Sequence, residues 1–272
     1  MNMPDASGYH ATDGAAYELF LGRWTRLLAE PLLDFADFPK SGRLLDVGCG
    51  TGSLAHAMAT RWPARNVIGV DIATPYISFA ESQSHLPNLH YNVADVTQLS
   101  FADASFGGVA TQLVLNFVGD PLLAVSEMRH DTVPGVRLVA AVWDFRGGLV
   151  YQRMFWDTAA GIDTGAAKVR DNLFSGSLAL PDGLVKLFES ASLHRIERTS
   201  VTIRMDYANF DDYWQPMCGG QGPVGTYLTG LSPDLRALIQ EAVAQSYRSG
   251  APDGPRSLTA TAWAVRGQVQ PC

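Results

Sequence analysis

Between residues 43 and 145, short apolar runs alternate with stretches of helical pattern. The candidate strands are RLLDV (43–47), NVIGVD (66–71), LHYNVAD (89–95), FGGVATQ (106–112) and VRLVAAVWDF (136–145). Several are rich in valine, isoleucine and aromatics, and all are short enough for strands buried on both faces. LAHAMATRW, between the first two, is a good helix former. Thr74 with Pro75 and Asp120 with Pro121 each give a cap followed by proline at the first helical position, and LLAVSEM supplies an apolar face after the second. The third connection, VTQLSFADAS, carries no clear pattern. Strand–helix alternation of this density predicts a doubly wound α/β fold, a mostly parallel sheet with helices on both faces.

The pattern changes beyond the fifth strand. HRIERTSVTIRMDY (194–207) and LTATAWAVRG (258–267) read as two longer strands. Between them ANFDDYWQPMCGGQGPVGTYLTG is loop-rich, and LSPDLRALIQEAVAQSYRSG is helical with Ser232 or Pro233 at its start. These two strands are expected to close one sheet edge in antiparallel fashion. Residues 146–180 and 208–250 then become insertions that form a lid, and residues 1–42 a helical cap, on a single domain spanning 1–272. In that cap, YELFLGRWTRLLAEPLLDF is an amphipathic helix with Leu27, Leu28, Leu32 and Leu33 as its apolar stripe.

Composition narrows the partners. Apolar residues make up 47% and charged residues 17%, which suits an ordered globular chain. A net charge of -7 disfavours nucleic acid and anionic membrane surfaces and leaves a small-molecule substrate as the expected partner. No apolar run approaches the roughly 20 residues that span a bilayer. The N-terminus lacks the basic start and apolar core of a signal peptide. Three dispersed cysteines and six scattered histidines show no metal-ligand spacing. The expectation is a cytoplasmic protein with no metal.

The candidate chemistry begins at LLDVGCGTGS, where Gly48, Gly50 and Gly52 alternate directly after the first strand. Glycines there let a ligand approach the backbone, and the following helix offers unpaired N–H groups to a phosphate or a carboxylate. The dinucleotide fingerprint G-x-G-x-x-G is not met, because the third glycine comes one residue early and Ser53 takes its place. The phosphate loop of nucleoside triphosphatases is excluded by the absence of Lys-Ser or Lys-Thr. Asp46, two residues before Gly48, would repel a pyrophosphate; it could brace the loop through backbone N–H groups or attract a sulfonium or ammonium cation. Asp71 ends the second strand, 21 residues after Gly50, where it could accept from both hydroxyls of a ribose. Asp95 ends the third, where it could accept from an adenine amino group. Each could also be a helix cap or a solvated acid; together, on one rim, they describe an adenosine pocket.

These residues resemble the class I S-adenosylmethionine-dependent methyltransferases of the small-molecule type, which includes the quinone-biosynthesis methylases. LLDVGCGTG is similar to the family's first motif, VIGVDI to its ribose motif and NVADVTQLSF to its adenine motif, with FGGVATQLVLNFVGDP and PGVRLVAAVWDF following in order. The resemblance covers residues 43–145 well. It implies a Rossmann-like seven-stranded sheet, mostly parallel, with a reversed C-terminal strand. It also implies S-adenosyl-L-methionine as cofactor, its methionine part on Asp46, Gly48, Cys49 and Gly50, its ribose on Asp71 beside Ile72, its adenine on Asp95 and Val96. Gln112 and Leu113 would line the sulfonium side, and Arg23 or Tyr17 would meet the methionine carboxylate from a closing N-terminal helix. Gly107-Gly108 departs from the family, which carries an aspartate after the phenylalanine.

The implied reaction is an in-line displacement in which alignment does most of the work. Candidates for a general base are Asp144 at the end of the fifth strand, His10 and Asp13; Cys49 reads as a small packed residue rather than a nucleophile. Tyr213, Trp214, Tyr227, Phe155 and Trp156 form either an apolar substrate wall or the core of the lid. The alternatives are a nicotinamide-dependent oxidoreductase, against which no Tyr-x-x-x-Lys pair is found, and a cofactor-binding protein without transfer activity.

Overall fold

The computed structural model describes residues 11–271. Its strands are β1 (Arg43–Val47), β2 (Val67–Asp71), β3 (Leu89–Val93), β4 (Phe106–Gln112), β5 (Arg137–Trp143), β6 (His194–Tyr207) and β7 (Arg256–Gln268). They form one seven-stranded sheet in the order β3-β2-β1-β4-β5-β7-β6. β1 to β5 pair in parallel, β7 runs antiparallel to β5, and β6 antiparallel to β7. β7 is thus the single reversed strand, inserted between β5 and the edge strand β6. The outer half of β6 keeps arginine, glutamate, serine and threonine toward solvent, a polar edge that discourages pairing with another chain.

The central strands are buried on both faces and mostly apolar, apart from Asp46, Thr111 and Gln112. On β5, Val139, Ala141 and Trp143 join one core while Leu138, Ala140 and Val142 join the other. The same period of two divides β1, with Leu44 on the first face and Leu45 and Val47 on the second. The helices are α1 (Gly14–Tyr17), α2 (Arg23–Ala36), α3 (Ser53–Arg61), α4 (Thr74–Gln83), α5 (Pro121–Asp131), α6 (Val150–Ala160), α7 (Thr164–Ser175), α8 (Gly183–Ser190), α9 (Phe210–Trp214), α10 (Gly222–Thr229) and α11 (Pro233–Arg248). The first core takes α2, α3, α4, α6 and α11, and the second takes α5 and α8. Asp120 and Ser232 cap α5 and α11 by accepting from Leu123 N and Leu235 N.

Local differences have local causes. Thr74 is the first residue of α4 and not its cap; Ala73 holds the extended cap position with no side-chain bond. The unpatterned third connection forms no helix, and β3 passes to β4 through turns in which Asp95 accepts from Thr97 and Gln98. A π-helical turn over Glu18–Gly22 precedes α2. In α2, Leu28, Leu32 and Leu33 are buried as expected, but Leu27 is exposed, because the buried face runs through Trp24, Thr25, Leu28, Ala29 and Leu32.

Gly107 and Gly108 have a packing reason. A Cβ on Gly107 would stand 2.5 Å from the Ser41 carbonyl oxygen, and one on Gly108 2.8 Å from both Leu44 and Phe38 side chains. The segment before β1 lies on β4 here, held by the buried Arg65 guanidinium. It donates to the carbonyls of Pro39, Ser41, Gly42 and Gly107 at 2.6–3.1 Å.

Candidate active site

The glycine turn closes at the C-terminal end of β1, next to the point where the strand order reverses between β1 and β4. Open α/β sheets bind ligands at such a crevice. The Gly48 and Cys49 N–H groups both donate to the Val70 carbonyl at 2.8 Å, folding the chain back on β2. Gly50 has φ +54°, which favours glycine, and a Cβ there would meet nothing closer than 3.9 Å, so its side of the turn opens on free space. α3 then starts at Ser53 with no side chain capping its first amides.

Asp71 braces this turn. Its Oδ2 accepts from Gly50 N at 2.9 Å and its Oδ1 from Ala73 N at 2.8 Å. Burial raises its pKa, opposed by the N–H groups of Ala73, Gly50 and Ile72. A carboxylate has about four lone-pair sites, so two remain open. Asp46 is different: it is 1% exposed, and neither oxygen has a hydrogen-bond partner. Burial pushes its pKa up to about 8; the Ala55 N–H in α3 opposes the rise without reaching hydrogen-bond geometry, and the charge of Asp71 adds to it. An unpaired buried carboxyl beside a cavity is costly unless a donor or a cation comes to it. Burial also raises the Cys49 thiol well above its ordinary value, which fits a packed, unreactive residue.

A cavity of about 690 Å³ runs along this rim, inside the range of small-molecule sites. Of the residues expected at the cofactor, Asp46, Gly48, Cys49, Gly50, Asp71, Ile72, Asp95, Val96, Gln112 and Leu113 all line it. Asp95 also closes its own turn by accepting from Thr97 N at 2.8 Å and Thr97 Oγ1 at 2.7 Å. The N-terminal segment forms the roof through Tyr17, Phe20, Leu21 and Thr25. It is tied to the glycine turn by Thr51 Oγ1 donating to Glu18 Oε1 at 2.6 Å, and by the Thr25 and Ser53 hydroxyls 2.9 Å apart. Gln112 Nε2 donates to the Thr25 carbonyl at 3.0 Å, leaving Oε1 unpaired.

Beyond β4 and β5 the lining turns apolar, with Phe117, Val118, Trp143 and Phe145, and Pro223 from the second insertion. Gln152 of α6, buried, and Asp120 at the start of α5 are polar residues of this lining. These residues were not among the expected contacts. The aromatics at the ends of β4 and β5 sit where such sheets bind ligands, and Gln152 shares a helical face with Phe155, Trp156 and Ala159. Neither feature singles these residues out in the sequence, because they come from separate connections that meet only in the fold.

Two expectations are corrected, and one left open is decided. Arg23 does not line the cavity; its guanidinium donates to Asp212 Oδ1 at 2.8 Å and the Asp212 carbonyl at 3.2 Å, over the Trp24 ring. Tyr17, the other residue considered for that role, is at the cavity. Asp144 accepts from Arg146 N and Gly147 N at 3.1 Å each, a turn-forming acid outside the lining. Asp13 likewise caps α1, and His10 lies outside the described residues. The cluster Phe155, Trp156, Trp214 and Tyr227 packs on itself with ring centroids 5.0–6.2 Å apart, joined through Phe210 by Tyr213, and none lines the cavity. It is the core of the insertions and not a substrate wall.

Residues 45–140 match a family model described as a methyltransferase domain. Malonyl-[acyl-carrier protein] O-methyltransferase of Acetivibrio thermocellus is 32% identical over 121 residues, 39% of this chain and 43% of that protein. Demethylmenaquinone methyltransferase of Thermus thermophilus is 33% identical over 141 residues, 49% of this chain and 61% of that protein. The chain thus spans about half the length of the curated relatives it matches. Among solved structures, the YcgJ protein of Bacillus subtilis gives a TM-score of 0.57 at 17% identity, covering 92% of this chain and 100% of its own. Phosphoethanolamine N-methyltransferase 2 of Haemonchus contortus, in complex with S-adenosyl-L-methionine, gives 0.59 at 16%, covering 99% of this chain and 59% of its own. At these identities the two structures establish the Rossmann-like fold.

Proposed function

We propose, from the premise that residues 45–140 belong to the methyltransferase domain family, that this chain is a class I enzyme transferring the methyl group of S-adenosyl-L-methionine to a small-molecule acceptor. The observation that carries the reading is Asp46, a buried carboxyl at the cavity with both oxygens unpaired, which suits the ammonium and sulfonium charges of this cofactor. Among the described residues no lysine, arginine or histidine lines the cavity, which argues against the pyrophosphate of a nicotinamide dinucleotide.

The residues divide the cofactor between them. The open amides at the start of α3 face the methionine carboxylate, with Tyr17 in the roof. The two unused lone-pair sites of Asp71 take the ribose hydroxyls, and Asp95 with Val96 and Ile72 takes the adenine. The cofactor supplies an electrophilic methyl group on a positively charged sulfur. Transfer would form a bond from an acceptor lone pair to the methyl carbon while the C–S electron pair returns to sulfur, and the acceptor's proton would leave to bulk water at the cavity mouth. The protein's part is alignment in a dry cleft, worth on the order of 7–11 kcal/mol in well-oriented systems. Phe20, Leu21, Phe117 and Trp143 keep water out, and the orphaned Gln112 Oε1 lies by the reacting end. Residues 146–180 and 208–250 act as the lid of this single domain.

The net charge of -7 and the acidic cavity favour a small molecule over nucleic acid or a membrane surface. Cys49 and Cys218 are unpaired, as suits a cytoplasmic enzyme. Among the described residues no helix is long and apolar enough to cross a membrane. Asp71→Asn is expected to weaken S-adenosylhomocysteine binding about 10- to 100-fold by titration calorimetry, the scale of one or two charge-assisted hydrogen bonds. Unchanged affinity removes the ribose assignment. Methyl-labelled S-adenosylmethionine incubated with a small-molecule extract is expected to give one equivalent of S-adenosylhomocysteine per labelled small product. Tight binding with no turnover would instead make the chain a cofactor-binding protein.

A further inference from the structure

The acceptor half of the cavity has its own chemistry. Its walls beyond β4 and β5 are Phe117, Val118, Leu123, Trp143 and Phe145, and the second insertion adds Gly222 and Pro223. Within this apolar surface Gln152 is 4% exposed and lines the cavity. One end of its amide is engaged, with Nε2 donating to Tyr151 Oη at 2.8 Å. The other end, Oε1, is buried with no partner. Tyr151 is itself buried and fixed, since its carbonyl accepts from Tyr213 Oη at 2.7 Å. The Gln152 amide is therefore held in place with one polar atom unused, a cost that a ligand group can relieve.

Charge sets the second constraint. The ionisable groups lining the cavity among the described residues are Asp46, Asp71, Asp95, Asp120, Tyr17, Tyr76 and Cys49, and no cationic side chain stands among them. Three of the carboxyls belong to the cofactor end, but Asp120 caps α5 beside the acceptor walls. A carboxylate or phosphate entering here would lose its hydration with no cation to replace it, and would meet carboxylates of its own sign.

We propose that the acceptor is a neutral, largely apolar molecule bearing a hydroxyl, read by the free end of the Gln152 amide against the Trp143, Phe145 and Phe117 wall. A hydroxyl is the matching group because it can donate to the unpartnered Oε1 without bringing a charge into the apolar surface. Gln152 is a specificity residue in this scheme and carries no proton in the reaction. The proposal rests on the cofactor reading above, since it assigns the other half of the cavity to S-adenosylmethionine. It also sets this site apart from one built for a free carboxylate.

The test uses the full chain loaded with S-adenosylhomocysteine and four probes of one shape: 1-naphthol, naphthalene, 1-naphthoate and 1-naphthyl phosphate. Titration calorimetry is expected to give 1-naphthol at least tenfold tighter binding than each of the other three. Gln152→Leu is expected to lower 1-naphthol affinity about tenfold and bring it level with naphthalene, with S-adenosylhomocysteine titration as the check that the variant is folded. Should the variant not fold, the four-probe series on the unaltered chain decides alone. Equal or tighter binding of the naphthoate or the phosphate overturns the proposal, as does naphthalene matching 1-naphthol or no binding of any probe at millimolar concentration. Failure of the cofactor reading shows separately, as absent S-adenosylhomocysteine binding, and the probe series on the unloaded chain then still decides the acceptor half.

Discussion

Asp46 concentrates the electrostatics of the site in one side chain. Its burial without a partner raises its pKa to about 8, so near neutral pH the ligand-free protein holds a proton there. A cation at the cavity favours the ionised form, and cofactor affinity is expected to rise with pH as Asp46 ionises, flattening above about 8. The linked effect on stability has the opposite sense. The folded chain binds a proton more tightly than the unfolded one, so this contribution is complete below the ordinary carboxylate range and is lost as pH rises toward 8. Asp46→Asn keeps the shape and removes the titration. It is expected to weaken S-adenosylmethionine binding about 10- to 100-fold and to abolish that pH dependence, both measured by calorimetry from pH 6 to 9. A variant that binds as tightly with an unchanged pH profile would assign the dependence to another group. The sequence proposed Asp46 for the cofactor but left open whether it braced the loop; the bracing falls to Asp71, 21 residues after the Gly50 amide it accepts from. That distinction depends on which carboxylate faces the Gly50 amide, and spacing does not carry it.

At the scale of elements, the N-terminal roof and the second insertion meet at Gln221. This buried side chain accepts from Thr12 N at 3.4 Å and from Tyr76 Oη at 3.1 Å, and donates to Thr12 Oγ1 at 3.2 Å. Residues 222 and 223, directly after it, line the cavity. Gln221→Ala removes these three bonds and a fourth, from Nε2 to the Gly219 carbonyl at 3.3 Å, each worth about 1 kcal/mol, and is expected to loosen the roof. Amide exchange over residues 12–22 should then quicken, with cofactor affinity falling about tenfold; unaltered exchange would show that the roof is held by its own packing. The strands were legible to within about two residues, since an apolar run buried on both faces looks the same in sequence and in space. Thr74 and the β3–β4 connection were less so, because a cap and a turn depend on a few dihedral angles. Arg23 was misplaced for a related reason. Its partner Asp212 is 189 residues away, and no local pattern announces so distant a pair.

For the whole molecule, the sheet brings residues from opposite ends of the chain to one rim. The C-terminal ends of β1, β2 and β3 carry the three acids, those of β4 and β5 carry the apolar wall, and Gln152, Gly222 and Pro223 line the same cavity. The residues proposed for the cofactor were legible as a group lining one cavity, because they follow strand ends at short, fixed offsets. The acceptor half was not, because Phe117, Gln152 and Pro223 come from separate connections whose packing alone brings them together. The central claim, that this rim holds S-adenosylmethionine, is tested most directly by thermal unfolding of the intact chain with S-adenosylmethionine and S-adenosylhomocysteine set against NADH and NADPH. At about 100 times the dissociation constant, a ligand adds about 2.7 kcal/mol. In a domain of this size that raises Tm by on the order of 5–10 °C. A rise with the two sulfur nucleotides and none with the dinucleotides is the expected result. A rise with NADH or NADPH alone would contradict it, and the site would have to be read again as a nicotinamide pocket.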